Sequence, residues 1–547
     1  MSVPVPGGAP SAHLDRFVLE RLPAADQMPV FDYSAPHLAG FSDRMNAYDE
    51  LLGRLIRKGF GPKPAIWFDG RCWSFDHLND RVERLARLLV EGWGLVPGNR
   101  VLIRSINAPM VIAAWLAVLK VGGVTVLTMP LLRAHELSFM IERVRVRFAL
   151  CEASLEAELA TAAAKTGLER YGLFSPMGDG KTDLDRAIDA TPAGAATVAT
   201  AADDVAMINF TSGTTGNPKA AVQLHRDIVA TSECWPQLLG VSPHDVHCGA
   251  PSLAFSYGQG GLLMFPLRHG AQTVLLAKST PDAILEAIQR HRVTNLFAVP
   301  TAYNSMLELG GRYDLSSLRK CCSAGEHLRM KTFEAWRALS GLPLINGIGS
   351  TEMHGHFVCE RNNVEKPGST GRPVPGFTAK LIDEAGSEIT KSGERGWLVV
   401  RGPTGCRYMD DPERQAKYVR QGWNVTGDIF ERDPDGVYWY VDRGDDMIVT
   451  SGYNVSGQEV ERAVMEHPLV RECAVIGVPD EARGTIVKAF VVLKDARDAN
   501  DANAKAIQDF VKANIAPYKY PRAIRFVEDL PKTMTGKIQR FRLKEIA

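Results

Sequence analysis

The stretch that decides the fold is NFTSGTTGNPKAAVQLH, residues 209–225. The mostly apolar run at residues 205–210, which ends on the first two residues of this stretch, is typical of a β-strand that leads into the Thr/Ser/Gly cluster. A strand that leads into hydroxyl and glycine residues, with a lysine close behind, is typical of loops that wrap phosphate oxygens. The spacing differs from a Walker loop, because Pro218 separates Gly216 from Lys219. The stretch therefore predicts a phosphate-binding loop of another kind.

The regions around this stretch alternate helical and strand patterns, which predicts layered α/β subdomains with largely parallel sheets. From residue 393 the segments become rich in Val, Trp and Tyr, which is typical of antiparallel strands. The predicted elements are helices over residues 77–94, 110–120, 282–291, 458–466 and 504–514, a helix from residue 302, and strands over 100–103, 124–127, 294–299, 472–478 and 486–493.

A chain of 547 residues is too long for one hydrophobic core. We expect a large N-terminal domain, residues 1–444, with two layered α/β subdomains and a small β-barrel-like subdomain, and a small mobile α+β C-terminal domain, residues 445–547. The boundary is placed in the charged, glycine-containing link at residues 442–446.

Composition excludes several classes of protein. Lys plus Arg and Asp plus Glu both number 63, so no basic surface for nucleic acid is indicated. The nine cysteines are scattered and never spaced C-x-x-C, which argues against disulfides and zinc ribbons. The N-terminus lacks the pattern of a secretion signal. Lys120 and a glycine pair interrupt the apolar run 111–132, which predicts a buried helix, a glycine turn and a short strand rather than a membrane span. A cytoplasmic enzyme, monomeric or homodimeric, without a membrane or nucleic-acid partner, is the expectation.

Three further segments carry polar groups in glycine-rich settings: NGIGSTEMHGHF (346–357), NVTGDIF (424–430) and PKTMTGKIQR (531–540). Glu352 next to a triphosphate makes sense as a Mg²⁺ ligand, and Asp428 could accept hydrogen bonds from ribose hydroxyls. Taken alone, each segment has a structural alternative: a capped helix start, an aspartate in a tight turn, and a solvated lysine at Lys537.

Together the four segments resemble the signature motifs of the adenylate-forming superfamily, which includes acyl- and aryl-CoA ligases, peptide-synthetase adenylation domains and luciferases. The resemblance spans roughly residues 50–545. It implies that ATP is bound through its β- and γ-phosphates by Thr211, Ser212, Gly213, Thr214, Thr215, Gly216 and Lys219. It implies an adenine site made by Ser323, Ala324, Gly325, Glu326, Asn346, Gly347, Ile348 and Gly349, with Ser350 beside it. The family usually has an aromatic residue where Ile348 stands.

The resemblance also implies the catalytic roles. Thr351 would contact the α-phosphate, Glu352 would ligate Mg²⁺, and Asp428 would hold the ribose with help from Arg443. Lys537 would reach the substrate carboxylate and the α-phosphate. In a second half-reaction the C-terminal domain would swing about Asp445, and the segment Thr450, Ser451, Gly452 and Tyr453 would line the path of coenzyme A.

The acid is expected to be aromatic. No carboxylate stands at Phe255, Ser256 or Tyr257, where amino-acid-activating relatives carry an aspartate. Aromatic walls with glycine floors suit a flat ring, and the pocket candidates are Phe255, Ser256, Tyr257, Gly258, Gly325, Ile348, Gly349, Met353 and His354. For Phe255 and Tyr257, a plain role in the core is the alternative.

The benzoate ligases have a histidine where Gly355 stands. This exchange favours 2-aminobenzoate or another substituted benzoate, with benzoate second. His354 and His356, without a third ligand, favour a structural or substrate-contacting role over a metal site. The alternatives are a medium-chain acyl-CoA ligase, a carrier-protein loading enzyme, a luciferase-like oxygenase and a non-enzymatic ATP-binding scaffold.

Overall fold

The computed structural model describes residues 9–211, 218–360, 366–444, 447–531 and 538–547. Its strands, in chain order, are β1 (Pro64–Phe68), β2 (Arg71–Ser74), β3 (Arg100–Arg104), β4 (Val124–Thr128), β5 (Phe148–Glu152), β6 (Arg170–Phe174), β7 (Val205–Thr211), β8 (Lys219–Leu224), β9 (Val246–Gly249), β10 (Gln272–Val274), β11 (Asn295–Ala298), β12 (Lys320–Ser323), β13 (Leu344–Ser350), β14 (Gly355–Cys359), β15 (Arg372–Pro373), β16 (Thr378–Ile382), β17 (Glu388–Ile389), β18 (Arg395–Arg401), β19 (Val419–Arg420), β20 (Trp423–Arg432), β21 (Tyr438–Arg443), β22 (Met447–Thr450), β23 (Tyr453–Ser456), β24 (Val470–Asp480), β25 (Gly484–Leu493) and β26 (Ala523–Phe526).

The α-helices are α1 (Arg54–Arg57), α2 (Phe75–Arg87), α3 (Pro109–Lys120), α4 (Ala134–Arg143), α5 (Glu156–Ala163), α6 (Asp183–Ala190), α7 (His225–Leu239), α8 (Ser256–Gly258), α9 (Phe265–His269), α10 (Pro281–His291), α11 (Pro300–Gly310), α12 (Met330–Ser340), α13 (Pro412–Tyr418), α14 (Gly457–Met465), α15 (Asp501–Asn514) and α16 (Arg540–Glu545). Turns of π-helix precede α1 (Asp49–Gly53), follow α2 (Leu88–Gly92) and join α8 to α9 (Gln259–Met264).

The first α/β subdomain is built on a sheet of order β6-β5-β3-β4-β7-β8, parallel except between β7 and β8. Strands β3, β4 and β5 are buried at every position, as expected for parallel strands covered on both faces. Helix α3 is also buried throughout, which confirms the interpretation of residues 111–132 as a buried helix, a turn and a strand. No helix among the described residues has the length and apolar character needed to cross a membrane.

Helix α2 shows how sequence pattern becomes packing. The Ser74 hydroxyl caps it by accepting a hydrogen bond from the His77 backbone N–H at 3.1 Å. Its apolar residues recur every three or four positions, and Leu78, Val82 and Leu85 are fully buried. The helix starts two residues before the predicted range, at Phe75.

The second α/β subdomain holds a sheet of order β15-β14-β13-β12-β11-β9-β10-β1-β2, which is parallel from β13 to β1 and antiparallel at both edges. Ser323 on β12 pairs with Asn346 on β13, so the segments that follow these residues emerge at the same edge. This is the edge at which open α/β sheets bind their ligands.

The Val-, Trp- and Tyr-rich region forms the predicted antiparallel sheet, of order β17-β16-β18-β20-β19 with β21 on β20. In this sheet Asp428 on β20 lies directly opposite Arg443 on β21. Two motif residues that are far apart in the predicted pattern are therefore fixed as neighbours by strand register.

The C-terminal unit contains the hairpin β22–β23, the sheet β24-β25-β26 and helices α14 to α16. It has its own core, in which Val460, Val475 and Val491 are buried together. The chain is thus a mixed α/β protein with a large N-terminal part and a small C-terminal unit, as expected. The boundary at residues 444 and 445 stays a prediction, because Asp445 lies outside the described residues.

Candidate active site

A cleft of about 650 Å³ opens between the second subdomain, the antiparallel sheet and the C-terminal unit. It gathers most of the residues that the resemblance assigns to adenine and ribose, namely Gly325, Glu326, Asn346, Gly347, Ile348, Gly349, Asp428 and Arg443. The C-terminal unit adds Arg483, Arg540 and Lys544 to the lining. Three separate folding units therefore contribute to one site.

The cleft wall on the antiparallel sheet carries an ion pair. Arg443 Nη1 donates to Asp428 Oδ1 at 3.1 Å, across the β20–β21 register. The Asp428 backbone N–H donates to the Thr426 hydroxyl at 3.2 Å, and Asp428 is buried. This carboxylate is held in one orientation at the edge of the cleft, as a ribose-binding group requires.

The opening stretch forms a hairpin. Thr211 at the end of β7 pairs with Lys219 at the start of β8, so the two residues frame the segment between them. The predicted phosphate contacts Ser212, Gly213, Thr214, Thr215 and Gly216 lie outside the described residues, as do Lys537 and Asp445. Their roles remain predictions.

Glu352 lies at the mouth of this hairpin. Its Oε1 accepts hydrogen bonds from the Tyr408 hydroxyl at 2.6 Å and from the Thr211 hydroxyl at 3.2 Å. Lys219 Nζ in turn donates to the Tyr408 oxygen at 3.3 Å. Burial, followed by the charge of Glu352, raises the pKa of Tyr408 well above its usual value, so the phenol stays protonated and donates to the carboxylate.

The turn before Glu352 is braced from both sides. The Ser350 hydroxyl accepts from the Met353 backbone N–H at 3.2 Å and lies 3.2 Å from the Tyr418 hydroxyl. Gln223 Nε2 on β8 donates to the Thr351 carbonyl at 3.0 Å. These contacts fix the turn that carries Thr351 and Glu352 against the hairpin.

The predicted adenine segment is only partly turned towards the cleft. Asn346 Nδ2 donates to the Ser369 carbonyl at 3.1 Å, and Ser323 and Ala324 are buried. Glu326 accepts from the Thr301 backbone N–H at 3.0 Å and from its hydroxyl at 3.2 Å. The side chains of Asn346 and Glu326 therefore shape the loop through protein contacts, which leaves the backbone of Gly325 and of residues 347–349 to face a ligand.

The predicted acid pocket begins where the chain enters α8. The Tyr257 hydroxyl donates to the Cys322 carbonyl at 2.9 Å, which anchors the ring beside β12. Ser256 starts α8, and Gly258 has no room for a side chain, because an added Cβ would lie 2.1 Å from the Ser252 carbonyl oxygen. The aromatic wall is thus held by the sheet behind it.

The two histidines of the STEMHGHF segment have different surroundings. His354 Nδ1 lies 3.5 Å from Asn209 Nδ2, and its Nε2 lies 3.4 Å from the Met264 sulfur. His356 instead stacks on Trp235, with ring centroids 3.7 Å apart. His354 and the fully buried Met353 were the predicted pocket residues, whereas the ring near Tyr257, 5.4 Å away, belongs to His356.

The predicted coenzyme A segment lies against the same region. An added Cβ on Gly325 would meet the Gly452 Cα at 3.9 Å, so the Gly452 loop lies against the Gly325 turn. The Tyr453 ring packs edge-on against Phe255, with centroids 5.8 Å apart. Ser451, immediately before Gly452, lies near Arg483, whose Nη1 is 3.5 Å from its hydroxyl. The structure therefore brings this segment to the acid pocket.

A buried lysine joins the C-terminal unit to the N-terminal part. Lys519 Nζ donates to Glu136 Oε1 on α4 at 2.5 Å and to Glu459 Oε1 on α14 at 2.6 Å. Burial alone would lower the pKa of Lys519, but Tyr518 and the two carboxylates raise it above its usual value. Sequence reasoning missed Lys519 and Tyr408, and it named His356 only as one of two histidines with a structural or substrate-contacting role, because the local pattern does not identify a distant partner for any of the three.

Comparison with protein families gives two matches. A family described as AMP-binding enzyme matches residues 57–407, which is more than half of the chain. A second family, described as AMP-binding enzyme C-terminal domain, matches residues 459–537.

Individual relatives agree with these matches. The chain is 37% identical over 538 residues to a benzoate–CoA ligase of Thauera aromatica. The alignment covers 94% of this chain and 99% of that protein. It is 32% identical over 517 residues to a 3-hydroxybenzoate–CoA ligase of Aromatoleum sp. (strain CIB), with 92% and 97% covered. Among solved structures, the anthranilate CoA ligase AuaEII in complex with anthranoyl-AMP has a TM-score of 0.72 and 32% identity, with 93% and 98% covered.

Proposed function

This chain belongs to the family of AMP-binding enzymes and is an AMP-forming acid–thiol ligase, and on that premise we propose that it joins an aromatic carboxylic acid to coenzyme A. The acid first becomes an acyl-adenylate at the expense of ATP, and the thiol of coenzyme A then displaces AMP. The observation that carries this proposal is the cleft lined by Gly325, Gly349 and the Asp428–Arg443 pair. Gly452 approaches Gly325 beside this cleft, and Tyr453, the next residue, packs on Phe255.

In the first step a carboxylate oxygen of the acid attacks the α-phosphorus, and the bond to the departing pyrophosphate breaks. Attacker and phosphate are both negative, and two like charges about 4 Å apart repel by roughly 4 kcal/mol at an effective dielectric near 20. We assign Lys219, with Thr211 and the residues between them, to the leaving pyrophosphate, and Lys537 to the reacting centre. No nucleophilic side chain is required, because the substrate supplies the nucleophile.

The residues present fit a magnesium ion held chiefly by ATP. Mg²⁺ is usually bound through one or two carboxylates together with substrate phosphates. Glu352 offers one carboxylate beside the Thr211 hydroxyl, and among the described residues no group of three His, Cys, Asp or Glu could hold a metal alone. We therefore assign Glu352 as its protein ligand. A bound ion would neutralise charge on the departing pyrophosphate.

In the second step the thiol sulfur attacks the carbonyl carbon of the adenylate, the carbon–oxygen bond to AMP breaks, and the thiol proton is lost. The segment at residues 450–453 supports this step, because Gly452 adjoins Gly325 and Tyr453 adjoins Phe255. We propose that coenzyme A reaches the adenylate along this segment, and that Arg483, Arg540 and Lys544 attract its phosphates from the cleft wall.

We propose 2-aminobenzoate or another ring-substituted benzoate as the acid, with benzoate second. The aromatic walls at Phe255 and Tyr257 support a flat ring. The relatives named above, which act on benzoate, 3-hydroxybenzoate and anthranilate, support the same class.

An acid panel tests the proposal. Pyrophosphate and AMP release would be measured with benzoate, its 2-amino and hydroxy derivatives and octanoate, each with and without coenzyme A. We expect AMP release that depends on both an aromatic acid and coenzyme A. Strong turnover of octanoate with none of the aromatic acids would refute the aryl assignment, and AMP release that is independent of coenzyme A would refute the acceptor.

The Lys537→Ala variant tests the division into two steps. It should abolish acyl-adenylate formation and spare thioester formation from a pre-made aryl-adenylate, because only the first step needs a cation at the α-phosphate. Rapid mixing of the wild-type enzyme or the variant with synthetic aryl-adenylate and coenzyme A measures the second step alone. Equal loss in both assays would contradict the assigned role.

A further inference from the structure

The ring of His356 stands out among the buried histidines near the cleft. It is 5% exposed, packs against both Trp235 and Tyr257, and stacks on Trp235 at an interplanar angle of 23°. Its Nε2 is buried without a hydrogen-bond partner among the described residues. A buried polar group without a partner is unfavourable, and native proteins keep few of them unless a ligand or water satisfies them.

Three other buried histidines, His225, His247 and His354, each have at least one polar contact on the imidazole, although Nε2 of His225, like that of His13, also lacks a partner. His247 contacts the Gly261 carbonyl at 2.7 Å and Asn295 Nδ2 at 3.0 Å, and His225 Nδ1 accepts from the Ala47 backbone N–H at 3.0 Å. His354 has the two polar neighbours described above. Within the described part of the chain, His356 has no such contact on either ring nitrogen, so its polarity is not explained by the fold.

The position of His356 connects it to the cleft. On the β13–β14 ladder His356 pairs with Gly349, and an added Cβ on Gly347 would lie 2.8 Å from His356 Cδ2. Both glycines line the cleft. The imidazole therefore lies against the strand that carries Gly347 and Gly349, with Tyr257 beside it.

We propose that His356 is a specificity-determining residue whose ring nitrogen hydrogen-bonds a hydroxyl or amino group on the ring of the acid. This inference rests on the proposed function, because it presumes an aromatic acid beside Tyr257. A neutral imidazole offers one N–H donor and one acceptor nitrogen, which matches a hydroxyl or an amino group. Burial lowers the pKa of His356 to about 3, so the ring is neutral at physiological pH.

The same geometry implies discrimination against unsubstituted benzoate. A site built to hydrogen-bond a substrate group rejects the analogue that lacks it, because the buried partner is then left unpaired. A methyl group in place of the hydroxyl would fill the same space and leave the imidazole unsatisfied. The effects of substituent shape and substituent polarity on turnover can therefore be separated by comparing acids that carry a hydroxyl or a methyl group at the same ring position.

The test compares hydroxybenzoates with methylbenzoates substituted at the same ring position. The measured quantity is kcat/KM for AMP release in the presence of coenzyme A. At one ring position we expect the wild-type enzyme to prefer the hydroxy acid by about tenfold or more. His356→Leu should reduce that preference by about tenfold and leave kcat/KM for benzoate within about threefold. His356→Gln, which keeps a donor and an acceptor, should retain part of the preference.

An unchanged preference in His356→Leu, or equal losses on hydroxy, methyl and unsubstituted acids, would overturn the assignment. In both cases turnover of benzoate with coenzyme A would show that the proposed function survives. If His356→Leu does not fold, ¹⁵N-histidine NMR of the wild-type enzyme replaces it, with His356→Gln to assign the resonance. The preferred hydroxybenzoate should then shift the His356 nitrogen signal and the matching methylbenzoate should not; equal shifts would overturn the inference.

Discussion

Two regions of the molecule, the nucleotide side around Glu352 and the contact between the N-terminal part and the C-terminal unit, are held together in different ways. On the nucleotide side, Lys219, Tyr408, Thr211 and Glu352 are linked by hydrogen bonds of 2.6 to 3.3 Å, and all of them belong to the N-terminal part of the chain. Glu352 is buried and its neighbours come from β7, β8 and the segment before α13. This network can persist whatever position the C-terminal unit takes.

In the second region the contacts cross from the C-terminal unit to the N-terminal part. Lys519 of the C-terminal unit is buried between its own Glu459 and Glu136 of the N-terminal part. Gly452 of the C-terminal unit likewise lies against Gly325 of the N-terminal part. A swing of the C-terminal unit, as the family resemblance implies, would break the contact between Lys519 and Glu136.

The difference teaches that the two half-reactions depend on different kinds of interaction. On the proposed assignments, adenylation takes its pyrophosphate- and metal-side groups from the N-terminal part and only Lys537 from the C-terminal unit, whereas thioester formation depends on the contact that Lys519 makes between the two parts. Substitutions on the nucleotide side should therefore impair adenylation, and substitutions in the crossing contact should impair the later step alone.

The largest effect is expected for Glu352→Gln. Glutamine can still accept the hydrogen bond from Tyr408, but the substitution removes the negative charge of Glu352, which we assign to binding the metal ion. Loss of one group that stabilises transition-state charge costs about 10²- to 10³-fold in rate. We expect a loss of that size in acid-dependent ATP–pyrophosphate exchange, with little change in thermal stability.

Glu384→Gln is the matched control for this variant. Glu384 is exposed in the turn between β16 and β17, so its substitution should leave the exchange rate unchanged. An exchange rate in Glu352→Gln within about threefold of the wild type would contradict the assigned role.

The second prediction concerns Lys519→Met, which removes the cation between two buried carboxylates. Breaking a buried ion pair by removing one partner costs about 3–5 kcal/mol. The C-terminal unit should therefore no longer be held against the N-terminal part at Glu136. Thioester formation from pre-made aryl-adenylate should then fall by about a hundredfold. Adenylation should be unchanged or faster, because the competing arrangement is weakened.

Lys505→Met controls for the loss of a lysine from the same unit. Lys505 pairs with Asp509 at 2.6 Å on the exposed face of α15, and exposed pairs contribute about 0–1 kcal/mol. It should leave both half-reactions intact. Equal losses of both half-reactions in Lys519→Met would mean that Lys519 supports folding rather than one arrangement of the two parts.

The sequence was most informative where function and local pattern coincide. The strand that leads into the Thr/Ser/Gly stretch, the buried α3 and the antiparallel texture after residue 393 were all predicted from periodicity and turn residues. The Asp428 motif was found through its resemblance to a family, and strand register then explains why Arg443 accompanies it. These features depend on residues close together in the chain or on a motif already known.

Tyr408, His356 and Lys519 could not be found in this way, because each acts through a partner more than fifty residues away. A tyrosine or lysine in a polar segment has the same local pattern whether it ends up buried or solvated. His356 was noticed as one of a pair, but only packing against Trp235 and Tyr257 distinguishes it from His354.

The smallest effect is expected for Tyr408→Phe, which sharpens the description of the nucleotide side. The variant removes the hydroxyl that links Lys219 to Glu352 and keeps the buried ring. Glu352 retains the Thr211 hydroxyl, and a hydrogen bond to a charged group contributes about 1.5–3 kcal/mol, so we expect a loss of about tenfold in ATP–pyrophosphate exchange. Thioester formation from pre-made adenylate should be unaffected, because the network stays within one body.

Tyr171→Phe is the control, since its hydroxyl lies 3.1 Å from Glu156 and far along the chain from the cleft residues. This variant should change neither half-reaction. If Tyr408→Phe lowered thioester formation as strongly as exchange, the nucleotide side would also depend on the position of the C-terminal unit. The contrast between a fixed side and a side that is made and broken would then not hold.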